Sequence, residues 1–270
     1  MSAGELQERT VSTGAIDLHV AMVEQSDSPT LVLLHGLYDR WEVWNSLIDQ
    51  LGDNFSVVAP DLRGHARSDH PESGYELDDY AADVVGMLDA LGISRAIVAG
   101  HSLGALIGLV AAADHADRVS HLAMIDPPLR QGEQGRQLLE ILLDARQGGL
   151  EETYQLISEL YAFSGTEQDW RRQTEWLRAT SEAAFQGMIA MSDDAAFDRY
   201  LSLIERVTCP TLLLQADPMS GGVLSDDDAA EATRRQPLMR HVRVPDTGHS
   251  VHQDAPSLTA CEILSLTGQE

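Results

Sequence analysis

The sequence predicts an α/β protein with a mostly parallel central sheet, helices on both faces and an inserted helical cap. Three patterns carry that expectation. Short apolar runs with the length of buried strands recur along the chain, and stretches of helical length with apolar residues three and four apart lie between them. The strand signal then lapses between Pro127 and about Val207.

In chain order, residues 5–11 and 15–23, joined by Ser12, Thr13 and Gly14, predict an antiparallel hairpin at the sheet edge. Residues 30–34, 55–59, 95–99, 121–125, 211–214 and 241–244 read as buried strands, and residues 41–51, 77–91 and 103–113 as the helices between them. Within the lapse, residues 138–143, 150–161, 170–185 and 197–204 look helical. Asp126-Pro127-Pro128 and Cys209-Pro210 mark the two seams, where proline stiffens the chain. A chain of 270 residues suits one core with an insertion, so residues 1–126 and 208–270 form the expected core domain and 127–207 the expected cap. Such a cap would cover the carboxyl ends of the strands, where parallel sheets bind ligands.

Composition removes several chemistries. The 18 basic residues are all arginine, against 43 acidic ones. Without lysine there is no P-loop lysine, no pyridoxal Schiff base and no Ser-Lys dyad. A formal charge of −25 repels nucleic-acid backbones and anionic lipid, so neither nucleic acid nor membrane is expected as a partner. The start of the chain lacks a basic, then apolar, leader, and Cys209 and Cys261 stand without metal-ligand spacing, so a cytoplasmic protein with free thiols is expected. The run Asp226-Asp227-Asp228 follows Ser225 at a helix start, which is ordinary dipole pairing rather than a metal site.

The residues that carry chemistry lie at strand ends. Gly100-His101-Ser102-Leu103-Gly104 follows an expected strand and opens an expected helix, a G-x-S-x-G whose glycines relieve a sharp turn that holds the serine oxygen above the sheet. His249, preceded by Gly248 and following the last strand, is the candidate base that makes the hydroxyl nucleophilic. His252 competes, but lies inside the next helix. His35-Gly36-Leu37 follows the first central strand, and the amides of Leu37 and Leu103 are placed to form an oxyanion hole. His35 is given no proton-transfer role.

Taken in order, His35-Gly36, Asp61-Leu62-Arg63-Gly64-His65, Gly100-His101-Ser102-Leu103-Gly104 and Gly248-His249 resemble the α/β-hydrolase superfamily over nearly the whole chain. The resemblance implies a nucleophile at Ser102, a base at His249 and no cofactor. It departs from the family at Ala66, where glycine is frequent, so the turn before Ser68 is expected to differ slightly. It departs again after the strand at 211–214, where the usual acid position holds Met219. Asp217 is the nearest substitute. A minority of the superfamily, resembling zearalenone lactonases, carries the acid after the strand following the elbow helix, and Asp126 occupies that place. Asp126 is preferred and Asp217 is the alternative, with Pro127 expected to hold Asp126 extended and its carboxylate sideways toward the imidazole.

The expected reaction is hydrolysis of a small-molecule ester or lactone through an acyl-enzyme. Trp170, Trp176, Phe163, Phe185 and Met188 are apolar cap residues, of which Trp176 and Met188 are the chief candidates to line a hydrophobic pocket. Carbon-carbon bond hydrolases and cofactor-free haloperoxidases share the same apparatus, and a ligand receptor on the same scaffold is the non-enzymatic alternative. Epoxide hydrolases and haloalkane dehalogenases are disfavoured because they use Asp where this chain has Ser102.

Overall fold

The computed structural model describes residues 5–160, 166–192 and 194–269. Strands β1 (Leu6–Ser12) and β2 (Asp17–Val23) pair as the expected antiparallel hairpin. Then follow β3 (Thr30–Leu34), α1 (Asn45–Leu51), β4 (Ser56–Pro60), α2 (Leu77–Ala90), β5 (Ala96–His101), α3 (Leu103–Asp114) and β6 (Val119–Ile125). Five helices come next: α4 (Gly132–Gln147), α5 (Leu150–Leu160), α6 (Glu167–Ala179), α7 (Glu182–Ala190) and α8 (Asp194–Arg206). The chain returns to the sheet as β7 (Thr211–Gln215), α9 (Asp226–Arg235), β8 (Met239–Arg243), α10 (Val251–Asp254) and α11 (Pro256–Thr267). Strands and helices thus alternate on either side of the all-helical stretch between β6 and β7.

The strands lie in the order β1-β2-β4-β3-β5-β6-β7-β8, parallel from β4 to β8 with the hairpin antiparallel at one edge. Alternate residues of the central strands feed two cores, Val32 and Leu34 one, Leu31 and Leu33 the other. Helices cover both faces, which is why these strands read as continuous apolar runs.

Two expected helices are drawn differently. Residues 41–51 divide into a 3-10 turn over Trp41–Trp44 and then α1. Residues 170–185 divide at Thr180 and Ser181, where Ser181 accepts a hydrogen bond from the Ala184 N–H and so starts α7 afresh. Ala66 sits at φ 45°, the left-handed conformation that glycine adopts without strain. Arg63 locks this loop to α2 through a paired contact with Asp83, Nε to Oδ2 at 2.6 Å and Nη2 to Oδ1 at 2.7 Å.

Candidate active site

The turn between β5 and α3 carries Ser102 at φ 51° and ψ −116°, a strained backbone for a residue with a side chain. The neighbours that permit it are close. A Cβ on Gly100 would fall 2.1 Å from the Gly104 carbonyl oxygen, and one on Gly104 would fall 2.1 Å from that of Leu34. Both glycines are thus required by backbone contact, and the turn sits tightly between β3 and β5. The Ser102 amide donates to the Ile125 carbonyl at 3.0 Å, tying the turn to the end of β6.

Asp126 follows directly and is fully buried. Its backbone is at φ 42°, not the extended conformation expected before a proline. Contacts from the β7 side account for this: the Asp126 amide donates to Leu214 at 2.7 Å, and the loop after β7 closes around the carboxylate. Oδ1 accepts from the Ala216 amide at 3.2 Å and from Leu224 at 3.4 Å, while Oδ2 accepts from Val223 at 2.9 Å. Oδ2 also lies 2.7 Å from His249 Nδ1, so the carboxylate holds the imidazole with Nε2 left for other chemistry. Sequence reasoning missed the three amides, since they come from a loop about ninety residues away and backbone groups leave no signature.

Asp217 is engaged elsewhere. It accepts from the Met219 amide at 3.0 Å, capping the short turn Pro218–Ser220, and from Arg243 Nη2 at 2.9 Å. The Arg243 hydrogen bond holds its carboxyl below the usual carboxylate range. Met219, at the usual acid position, is 90% exposed.

Ser102 and His249 line one cavity of about 280 Å³, together with Gly36, Leu37, Tyr38, Asp39 and His101 on the sheet side. No hydrogen bond joins Ser102 to His249. In unliganded sites such bonds commonly form only as substrate arrives. The amide of Leu37 and that of Leu103, the first residue of α3, make no backbone hydrogen bond among the described residues and remain available as donors. Asp226, Asp227 and Asp228 begin α9, and no group of three or more metal-ligating side chains occurs among the described residues.

The helical segment closes the cavity with Leu138, Leu139, Leu142 and Met188. Met188 thus lines this cavity and Trp176 does not. Its ring lies 4.8 Å from the Arg40 guanidinium and 5.2 Å from that of Arg172, and it borders a separate, more polar cavity of about 670 Å³. Attraction between these cations and the ring holds it there. Trp170 borders that second cavity as well, Phe185 is buried in the core, and Phe163 lies outside the described residues.

Sequence reasoning also passed over His101, although it stands inside the G-x-S-x-G. Its Nε2 is 3.0 Å from the His249 carbonyl, its Nδ1 is 3.7 Å from Asp39 Oδ2, and its ring packs 4.5 Å from those of both His249 and His252. One imidazole thus braces the loop that carries His249 against the loop that carries Leu37. Burial opposes ionisation of Asp39, yet the His101 contact keeps its carboxyl below the usual range.

Four histidines here are fully enclosed. Burial pushes the imidazoles of His35, His101 and His252 below the ordinary value and that of His65 down to about 3. His35 accepts from the Leu62 amide through Nε2 at 2.9 Å, a structural role that requires it neutral. In the unfolded chain these groups take up protons below about pH 6.5, whereas the folded chain resists protonation, so the unfolded state binds more protons and stability is lost as pH is lowered. Each such histidine costs up to about 1.4 kcal/mol per pH unit below that point. The urea midpoint is expected to drop steeply between pH 7.5 and pH 5.5, and equal midpoints at the two pH values would contradict buried neutral imidazoles.

A family model described as alpha/beta hydrolase fold matches residues 29–256. A 2-(acetamidomethylene)succinate hydrolase from Mesorhizobium japonicum is 29% identical over 273 residues, covering 96% of this chain and 94% of its own. The crystal structure of an E-2-(acetamidomethylene)succinate hydrolase superposes with a TM-score of 0.81 at 26% identity, covering 98% of this chain and all (100%) of that one. An enol-lactonase from Burkholderia xenovorans LB400 shares the fold with a TM-score of 0.79 at 20% identity, covering 96% of this chain and 100% of its own. Epoxide hydrolase A from Mycobacterium tuberculosis is 36% identical over 128 residues, covering 46% of this chain and 40% of its own. Among the described residues no helix is long and apolar enough to cross a membrane.

Proposed function

The chain belongs to the α/β-hydrolase family and is a hydrolase of small molecules, and from that premise we propose that it cleaves an ester or lactone through an acyl-enzyme formed on Ser102. The observation that carries this reading is the 2.7 Å contact between His249 Nδ1 and the buried Asp126 carboxylate, beside a strained serine on the same cavity.

In this reading the Ser102 Oγ–H proton passes to His249 Nε2 as Oγ bonds to the acyl carbon. Negative charge develops on the former carbonyl oxygen, where the Leu37 and Leu103 amides donate to it. Collapse of the tetrahedral species breaks the acyl–oxygen bond, and the leaving alkoxide takes the proton from His249. A water molecule then gives a proton to His249 and its oxygen to the acyl carbon. The second collapse returns the proton to Ser102 and frees the acid. Asp126 orients the imidazole and stabilises its cation without itself taking a proton. Helices α4 to α8 serve as the cap, and their leucines and Met188 favour an apolar acyl group.

Turnover across aryl esters, small and macrocyclic lactones and vinylogous diketones tests the reading. Ester or lactone hydrolysis with a burst of alcohol release is expected. Activity confined to the diketones would transfer the protein to carbon-carbon bond cleavage, and folded protein inert on the whole panel would favour a ligand receptor.

A further inference from the structure

In the cavity that holds Ser102, we propose a carboxylate-binding subsite built on Arg130, so that the substrate carries an anionic group apart from the bond that breaks. The inference rests on the serine-hydrolase reading for what is cleaved, but the subsite stands on its own geometry.

Arg130 is the one arginine among the described residues lining the cavity that holds Ser102, in a chain whose formal charge is −25. Three elements fix it in place. It follows β6 at the start of the helical segment, its guanidinium carbon lies 3.7 Å from the centre of the Phe197 ring on α8, and its Nε donates to Asp228 Oδ1 on α9 at 3.2 Å. Nη1 and Nη2 make no hydrogen bond among the described residues, so the paired edge that suits a planar carboxylate is unused. Such a guanidinium is already held still, and less freedom is lost when an anion docks.

The neighbouring polar groups have the same bias. Gln131 and Gln134 also line this cavity. The Gln131 side-chain amide meets the Ser192 hydroxyl, which also faces the Met188 carbonyl at 2.8 Å. Gln134 makes no side-chain hydrogen bond among the described residues. Arginine offers only donors and each amide offers two more, so this rim is rich in donors. Among the described residues that line the cavity the one carboxylate is Asp39, against His101. A ligand complementary to the whole cavity therefore has a carbonyl at Ser102, a short apolar body under Leu138, Leu139 and Leu142, and an acceptor-rich anionic end at Arg130.

The test compares 4-nitrophenyl hydrogen glutarate with 4-nitrophenyl pentanoate, esters of equal chain length that differ in a terminal carboxylate. Glutarate binding by calorimetry is measured alongside, in the parent, Arg130→Met and Arg130→Lys. The ratio of kcat/KM for the anionic ester to that for the neutral one is expected to fall roughly 10- to 100-fold in Arg130→Met, with partial recovery in Arg130→Lys. Glutarate affinity should weaken in parallel. An unchanged ratio in Arg130→Met, or a parent protein that does not bind glutarate, overturns the subsite. If neither ester is hydrolysed, the lactone arm of the turnover panel decides the serine-hydrolase reading, and the glutarate titrations of parent and variant decide the subsite separately.

Discussion

Ser102→Ala is expected to reduce ester turnover about a millionfold while leaving the fold intact, because without Oγ no acyl-enzyme can form. The side chain shrinks by one oxygen on a residue whose backbone strain is imposed by β3, β5 and α3, so the elbow itself is unaltered. A fluorophosphonate probe should mark the parent protein at Ser102 and leave the variant unmarked. The two readouts are complementary: turnover reports the whole cycle, and the probe reports only the attack. A variant with turnover within tenfold of the parent, or a parent that resists the probe while folded, would remove Ser102 from the chemistry.

Asp126→Asn carries the second large effect, a loss of about ten-thousandfold in kcat. An amide in this position presents either a carbonyl oxygen or an NH2 to His249 Nδ1. The first holds the ring without stabilising its cation, and the second forces the tautomer that leaves Nε2 unable to accept a proton. The same exchange sets an NH2 against backbone donors, since Ala216, Val223 and Leu224 all point N–H groups at this carboxylate. A stability loss of about 1–3 kcal/mol accompanies the loss of rate. Unfolding curves on the same sample separate the two effects. Asp217→Asn, which removes a charge from the Arg243 contact at the surface, should leave kcat within about threefold. If instead Asp217→Asn abolishes turnover and a folded Asp126→Asn does not, the acid has been assigned to the wrong strand.

Much of this arrangement was legible in the residue order because it is local. The elbow at Ser102 announces itself through two glycines around a serine between an apolar run and a helix, and the prolines beside Asp126 and Cys209 mark where the helices interrupt the sheet. The oddity at Met219 was legible too, and pointed away from the usual acid position. What escaped was set by contacts between distant segments. The φ of 42° at Asp126 runs against the preference that Pro127 imposes, and only the pairing of β6 with β7 accounts for it. Trp176 reads from sequence as apolar lining, yet two arginines, one far away at position 40, draw it to another cavity. His101 and Arg130 look unremarkable as letters, and acquire meaning only once the His249 carbonyl and Phe197 are beside them.

The helices between β6 and β7 leave and rejoin the sheet at adjacent strands, whose backbones are matched from Leu122 opposite Thr211 to Ile125 opposite Leu214. The roof is thus attached like a loop of rope to two neighbouring pegs already nailed together. Under the proposed mechanism, lengthening, shortening or repacking it reshapes the room above the serine while the carboxylate beneath keeps its grip on the imidazole, so selectivity can drift through this stretch of chain without retuning the proton-handling parts.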